Sequence, residues 1–181
     1  MDTQHLDRFE QQLHCNIANY LHARSEIDRI LPDTPDIEER WEKICTAYLP
    51  DGVREFQDYP TASLGWMMFI GMAVAHFWDE DWEMYSQFDD LYAIFVKGRG
   101  YDAMDEYICL DIMKLDDKSA AETSKLVGDT AELVLNALRH ENFEPGTPAA
   151  FNAYVRCLHQ LYYYGAAVRL YQLGYRMTPM S

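Results

Sequence analysis

The stretch LGWMMFIGMAVA, Leu64 to Ala75, decides the fold because it is the longest apolar run in the chain. A membrane-spanning helix needs about 20 consecutive apolar residues, whereas about 10–14 is typical of a helix buried in a protein core. The run therefore predicts a helix that is surrounded by other helices, in a protein that does not span a membrane.

Apolar residues continue in helical phase from this run as far as Phe95. Because no Gly or Pro lies between 72 and 97, residues 61–97 form either one helix or two helices with a break near 79–81. We favour the break, since Asp79 and Asp81 can cap a new helix and an unbroken helix would be about 55 Å long.

Helical spacing of apolar residues also extends outward in both directions, and no segment alternates with the period of two that a strand requires. The sequence Pro50-Asp51-Gly52 predicts a turn. Proline, glycine and capping residues divide the rest into helices at 4–31, 34–49, 101–115, 119–141 and 148–175. The sequence therefore predicts an all-α fold, a single-domain bundle of six or seven helices that covers residues 1–181.

The last of these helices is apolar around nearly its whole circumference, and Tyr162-Tyr163-Tyr164 is followed directly by Gly165-Ala166-Ala167. A helix that is hydrophobic on all sides has to be buried on all sides. It is therefore either the central helix of the bundle or one face of a dimer, and both can hold. The small residues allow another backbone to approach closely, which makes self-association as a homodimer an expectation of the sequence.

The composition excludes two classes of partner. With 30 acidic against 15 basic residues, the net charge is −15 and the isoelectric point about 4.6. A field of this sign repels phosphate backbones and anionic lipids, so we expect neither nucleic acid nor membrane as partner. Four dispersed cysteines without a CxxC motif, together with a polar and acidic N-terminus, predict reduced thiols and a cytoplasmic protein.

The stretch AHFWDEDWEMYSQFDD, Ala75 to Asp90, holds the strongest candidate for chemistry. His76, Asp79, Glu80 and Glu83 would share one face of an unbroken helix. A histidine among carboxylates can bind a divalent metal or act as a proton acceptor with an orienting partner. In the alternative interpretation His76 ends a core segment and the carboxylates are solvated.

Two specific metal sites can be tested against the sequence. A calcium loop that starts at Asp79 would need glycine at its sixth position, where Met84 stands. A di-iron bundle needs Glu-x-x-His, and no histidine of this chain has a glutamate three residues before it. The sequence therefore predicts no metal site and no cofactor.

Aromatic side chains recur in the same region, and Trp66, Trp78, Trp82 and Tyr85 share one broad stripe that Tyr162 of the last helix could face. Helices lined in this way can enclose a ligand pocket, although such a stripe is more often plain core. The segment after Glu144 has no acid and three arginines, so we expect it to lie beside the acidic segment 79–90.

No nucleophile elbow, phosphate loop or other catalytic motif occurs in the chain. The first hypothesis is therefore a non-enzymatic interaction or assembly protein that acts as a homodimer. The alternative is a small-molecule-binding module with an aromatic-lined cavity between helices, for a small apolar or aromatic ligand. A second alternative is a metal-assisted or acid–base enzyme centred on His76.

Overall fold

The structure is a computed structural model in which residues 3–177 are described. Over that range the chain forms eight α-helices and no strand. The helices are α1 Thr3–Ala23, α2 Pro35–Glu38, α3 Trp41–Asp58, α4 Pro60–Tyr85, α5 Leu91–Arg99, α6 Met104–Glu106, α7 Asp117–His140 and α8 Pro148–Gln172. Two of them, α2 and α6, have only four and three residues, which leaves six longer helices. The predicted all-α bundle of six or seven helices is therefore confirmed.

Helices α4 and α8 pack against each other at the centre, and α1, α3 and α7 surround them. Every residue of Leu64–Ala75 is buried except Trp66, which is half-buried. By length and composition α4 would be able to cross a membrane, but 72% of its most apolar window is buried inside the fold, as in the core helix of a soluble protein. The apolar run therefore forms the core helix that its length predicts.

The two central helices approach each other closely at a pair of glycines. A Cβ atom on Gly71 would lie 2.1 Å from the carbonyl oxygen of Tyr162, and a Cβ on Gly165 would lie 2.1 Å from the carbonyl oxygen of Met68. Both distances are far below van der Waals contact. The small residues of α8 therefore allow the backbone of α4 in the same chain to approach closely. Of the two roles predicted for α8, central helix or dimer face, the structure shows that of the central helix.

Helix α4 is kinked where the sequence predicts a break. Asp81 has non-helical φ and ψ angles of −166° and 76°, and its carboxylate accepts a hydrogen bond from the backbone N–H of Met84 at 3.2 Å. This is the geometry of an N-cap at the start of a new helical segment. Beyond the kink Trp82 and Tyr85 are half-buried, as Trp66 and Trp78 are before it, and Phe88 is 44% exposed.

The first helix is shorter than predicted, because α1 ends at Ala23 and not near residue 31. Ser25 adopts φ 59°, the backbone N–H of Glu26 donates to the carbonyl of Leu21, and that of Ser25 donates to His22. These two bonds form a Schellman motif, which terminates a helix. The position of the left-handed residue is usually glycine, so a serine there gives no sequence signal.

The turn predicted at Pro50-Asp51-Gly52 is wrong, because α3 continues through it to Asp58. Proline removes one helical hydrogen bond, that of the Thr46 carbonyl, but Thr46 and Pro50 are both exposed and water can hydrate that group. Gly52 is buried under two aromatic side chains: an added Cβ would lie 2.4 Å from the ring of Tyr48 and 2.7 Å from the hydroxyl of Tyr154. Packing on this face of α3 therefore outweighs the local turn signal.

The predicted helix 101–115 is divided. After α6 the chain forms a π-helical segment, Tyr107–Ile112, which ends with the N–H of Met113 bonded to the carbonyl of Ile108 at 2.8 Å and Lys114 at φ 54°. The start of α8 follows the prediction. The Thr147 hydroxyl accepts from the N–H of Ala150 at 3.2 Å, and Pro148 occupies the first turn.

Candidate functional site

His76 lies near the end of the straight part of α4, with its side chain 16% exposed. Its Nδ1 lies 3.0 Å from Nη2 of Arg169, and because a guanidinium can only donate, Nδ1 carries the lone pair. The proton of the neutral ring is therefore on Nε2, which lies 3.5 Å from a carboxylate oxygen of Glu80. Burial and then Arg169 lower the pKa of His76, against the opposite effect of Glu80 and Asp79.

The four residues predicted to share one face are not all together. Asp79 accepts a hydrogen bond from the Tyr175 hydroxyl at 2.7 Å, so the acidic segment does contact the C-terminal part of the chain. Glu83 is exposed and lies beyond the kink at Asp81, which separates it from His76. Within residues 3–177 no three His, Cys, Asp or Glu side chains are grouped so that they could hold a metal ion.

Arg169 makes the His76 corner a buried cationic site. The arginine is only 6% exposed, and its Nη1 donates to the side-chain carbonyl of Gln172 at 3.0 Å. Its Nε has no hydrogen-bond partner, and no carboxylate of the described chain forms an ion pair with it. Burial lowers the pKa of Arg169, while the charge of Asp79 raises it. Apart from this Nε, the polar groups of the corner bond chiefly to one another.

The aromatic residues predicted to line a pocket have separate partners. Nε1 of Trp66 donates to the Tyr101 carbonyl at 2.7 Å, and Nε1 of Trp78 donates to Asp36 at 3.3 Å. The Tyr162 hydroxyl donates to the Ile37 carbonyl at 2.6 Å. The Arg40 guanidinium lies 5.6 Å from the centre of the Trp82 ring. Tyr85 stacks on Phe77 with ring centroids 3.8 Å apart. These contacts are those of packing residues, and the clefts described below are lined by other side chains.

A cleft of about 700 Å³ lies between α1, the loop 24–34, α2 and α8. We call it the histidine cleft, because two histidines from opposite parts of the chain line it. Its lining consists of His14, Leu31, Pro32, Asp33, Thr34, Pro35, Glu38, His159, Gln160 and Tyr163. A few polar groups converge there over an apolar wall, which is the usual composition of a small-molecule site.

Hydrogen bonds determine the proton position on His14. The Gln160 amide Nε2 donates to the carboxylate of Glu10 at 2.9 Å, so its Oε1 faces Nδ1 of His14 at 3.0 Å. A carbonyl oxygen only accepts, hence Nδ1 of His14 carries the proton. The Tyr164 hydroxyl donates to the backbone carbonyl of His14 at 3.1 Å, and it lies 3.0 Å from Nδ1 and 3.3 Å from Nε2 of the ring. In the neutral ring Nε2 therefore carries the lone pair, and it can accept a proton or a hydrogen bond.

The second histidine forms a pair with a carboxylate. Nε2 of His159 makes a short hydrogen bond to Glu38, and the imidazole stacks on Trp41 with centroids 4.6 Å apart and planes 7° apart. A carboxylate that bonds one ring nitrogen fixes the tautomer of the imidazole and orients the other nitrogen. The pair thus has the arrangement of a proton acceptor with its orienting group.

Tyr163 lies on α8 one turn after His159 and contributes a phenol to the cleft. Burial raises its pKa, and the charges of Glu38 and Asp33 raise it further. The phenol therefore stays protonated at neutral pH and can donate a hydrogen bond. Asp33, Glu38 and the lone pair of His14 are all acceptors, so the cleft as a whole is rich in acceptors and negative in potential.

Sequence reasoning did not identify this cleft, because its two histidines come from α1 and α8. Each histidine by itself is an ordinary residue on a half-exposed helix face. One signal was present: α8 is almost wholly apolar, yet His159 and Gln160 stand side by side in its middle. Polar residues that interrupt an otherwise buried helix mark the side on which the helix meets a cleft or solvent.

Comparison of the chain with protein-family models, with curated proteins and with solved structures gives no match.

Proposed function

We propose that this protein is a small-molecule-binding module and that the histidine cleft is its site. One observation carries the proposal. A cleft of about 700 Å³ brings together a histidine of fixed tautomer, a histidine–carboxylate pair and a protonated phenol. Preorganised polar groups of this kind fix the orientation of a ligand, because their own geometry is held by neighbouring hydrogen bonds.

The chemistry of the lining favours a ligand that donates hydrogen bonds and carries positive charge. Asp33 and Glu38 supply carboxylates, and His14 supplies a lone pair on Nε2. The chain as a whole, at net charge −15, attracts small cations and repels anions. Leu31, Pro32 and Pro35 provide an apolar wall for a short aliphatic body. A small aliphatic amine combines these features.

The other two hypotheses have less support in the geometry. The tyrosines and small residues of α8 that suggested a homodimer are buried against helices of the same chain, with Tyr163 only half-buried, so self-association would need another surface. An acid–base reaction at His76 would need the ring nitrogen that Arg169 occupies. If the protein has an activity, the pair His159–Glu38 is the better proton acceptor, because it lines a cleft that a substrate can enter.

A cytoplasmic location is part of the same proposal. Its support is that the four cysteines Cys15, Cys45, Cys109 and Cys157 are all free thiols, as is usual in a reducing compartment.

The test compares three four-carbon probes of different charge: 1,4-diaminobutane, butane-1,4-diol and succinate. Binding is followed by isothermal titration and by the imidazole NMR signals of His14 and His159. We expect the diamine to bind best and to shift both signals, because the acceptors of the cleft complement its ammonium groups. Equal binding of all three probes, or diamine binding without a shift of these two signals, would refute the proposal.

A matched pair of variants localises the effect. Glu38→Gln removes a cleft carboxylate, and we expect diamine affinity to fall about tenfold with the loss of one charge-assisted hydrogen bond. Glu141→Gln removes another histidine-bound carboxylate, since Glu141 lies 2.8 Å from His5 outside the cleft. It should leave diamine binding unchanged, and an equal loss in both variants would indicate a general charge effect.

A further inference from the structure

We infer that the protein has a second ligand site, for a small amphipathic molecule with an apolar body and one anionic head. The site is a groove of about 830 Å³ between the end of α3, the start of α4, the end of α7 and the start of α8. Its lining consists of Phe56, Gln57, Asp58, Pro60, Leu138, Arg139, Asn142, Phe143, Pro145, Ala150 and Tyr154. We call it the aromatic groove; it shares no lining residue with the histidine cleft and does not depend on the function proposed above.

Three aromatic rings form the walls, and contacts behind them hold them in place. Phe56 meets Tyr154 edge to face at 4.9 Å between centroids. Phe143 is stacked on His5 at 5.0 Å and meets the edge of Phe9 at 5.6 Å. Walls fixed in this way remain open without a ligand, which reduces the entropy that a ligand has to lose on binding.

The one hydroxyl among these rings is directed away from a ligand. Ser63 Oγ donates to the carbonyl of Gly52 at 2.7 Å, so the Tyr154 hydroxyl donates to Ser63 Oγ at 2.5 Å. With its polar atom bonded inside the protein, Tyr154 offers the groove only ring atoms. The aromatic part of the wall is therefore apolar, and the body of a ligand that packs against it is apolar as well, while Gln57, Asp58 and Asn142 supply polar groups elsewhere in the lining.

Arg139 is the cation among the lining residues of the groove, and Asp58 is the carboxylate. It is exposed, and no carboxylate of residues 3–177 forms an ion pair with it. Within residues 3–177, Arg54, Arg99 and Arg156 form ion pairs, and Arg139 is among the arginines that do not. A guanidinium above an apolar wall is suited to a carboxylate head, which it can bind through two parallel hydrogen bonds.

Arg139 also stands in the last turn of α7, where a positive charge stabilises a helix end. That role by itself requires no groove and predicts no ligand affinity. The two roles can be separated by experiment. Loss of the helix-end charge changes the free energy of unfolding of the free protein. Loss of a head-group contact changes the affinity for an anionic ligand relative to a neutral ligand of equal length.

The experiment measures binding of decanoate and of decanol, below their aggregation limits, by isothermal titration. We expect decanoate to bind one site per chain and more tightly than decanol. In Arg139→Gln the affinity for decanoate should fall about tenfold and that for decanol should stay the same. Lys118→Gln is the matched control, because Lys118 is an exposed and unpaired cation at the other end of α7.

A second variant tests the groove and not the charge. Ala150→Leu adds three carbons to a half-buried wall position, so it should reduce binding of both probes while circular dichroism and thermal melting show the fold intact. The inference is overturned if decanoate does not bind or if its binding does not saturate. It is also overturned if Arg139→Gln and Lys118→Gln lose equal affinity for decanoate, or if Ala150→Leu keeps full affinity.

Discussion

Gly71 and Gly165 face each other across the centre of the molecule, each in contact with the backbone of the helix opposite. A Cβ on either glycine would come within 2.1 Å of a carbonyl oxygen, from Tyr162 and from Met68 respectively. A backbone atom cannot rotate away as a flexible side chain can. The spacing of α4 and α8 is therefore set by the absence of two side chains.

We predict that Gly71→Ala and Gly165→Ala each lower the free energy of unfolding by about 3 kcal/mol or more, since the added methyl forces the two helices apart. Gly128→Ala is the control, because Gly128 lies within α7 with no atom within 4 Å of its added Cβ. That change should raise the free energy of unfolding by about 0.4–1 kcal/mol. Urea unfolding measures all three, and a neutral Gly165→Ala would contradict the close approach.

The second prediction concerns stability in acid. The pKa of His76 is lowered in the folded protein from its ordinary value of 6.5, chiefly by burial and then by Arg169. Below that value the unfolded chain takes up a proton that the folded protein resists. Neutral His76 therefore makes its full contribution to the free energy of unfolding above about pH 6.5, and this contribution is lost as the pH falls through the pKa of the folded protein.

His76→Asn tests this directly, because the asparagine oxygen replaces Nδ1 as acceptor for Arg169 but does not titrate. Unfolding at a series of pH values should show a smaller loss of stability below pH 6.5 in this variant than in the unchanged protein. His140→Asn, at an exposed position on α7, should keep the original slope. If both variants keep that slope, His76 does not cause the loss.

The third prediction concerns Ser63, which is fully buried and connects α4 to both α3 and α8. Its hydroxyl donates to the carbonyl of Gly52 and accepts from Tyr154. Ser63→Ala leaves the buried Tyr154 hydroxyl without its partner and the Gly52 carbonyl with only its bond inside α3, and we expect a loss of about 1–3 kcal/mol in the free energy of unfolding. Tyr154→Phe keeps the bond from Ser63 to Gly52, so it should cost less. Denaturant unfolding in which Tyr154→Phe costs more would contradict this order.

The fourth prediction concerns the end of α1, where Ser25 has a φ of 59°. Left-handed backbone costs an L-residue about 1–2 kcal/mol, more than the entropy that glycine adds to the unfolded chain. Ser25→Gly should therefore stabilise the protein by about 0.5 kcal/mol. Ser124→Gly, at an exposed position inside α7, should destabilise it by a similar amount. Thermal melts in which both serine variants change in the same direction would speak against the Schellman motif.

Those parts of the fold that depend on local chemistry were predictable from the sequence. The break at Asp81 and the cap at Thr147 were predicted from residues within one helical turn, and both are present. The core position of α4 followed from the length of its apolar run. The burial of α8 followed from its apolar circumference.

Apart from the end of α1, where a serine takes the place of the usual glycine, the main features that were missed depend on contacts between distant segments. Pro50 and Gly52 form a turn signal, yet Tyr154 packs over Gly52 and the helix continues. The histidine cleft needs His14 and His159 together, and no spacing within one segment connects them. His76, which stands out in the sequence, bonds to Arg169 in a packed corner.

The order of the helices along the chain has a consequence for synthesis. Helix α4 emerges from the ribosome long before α8, and the glycine that fits against it stands far downstream in α8. Until α8 is made, the most apolar helix of the protein lacks its main packing partner, because α3 and α7 cover only part of it. A nascent chain arrested after α7 should therefore bind chaperones or aggregate, and release of α8 should end that exposure.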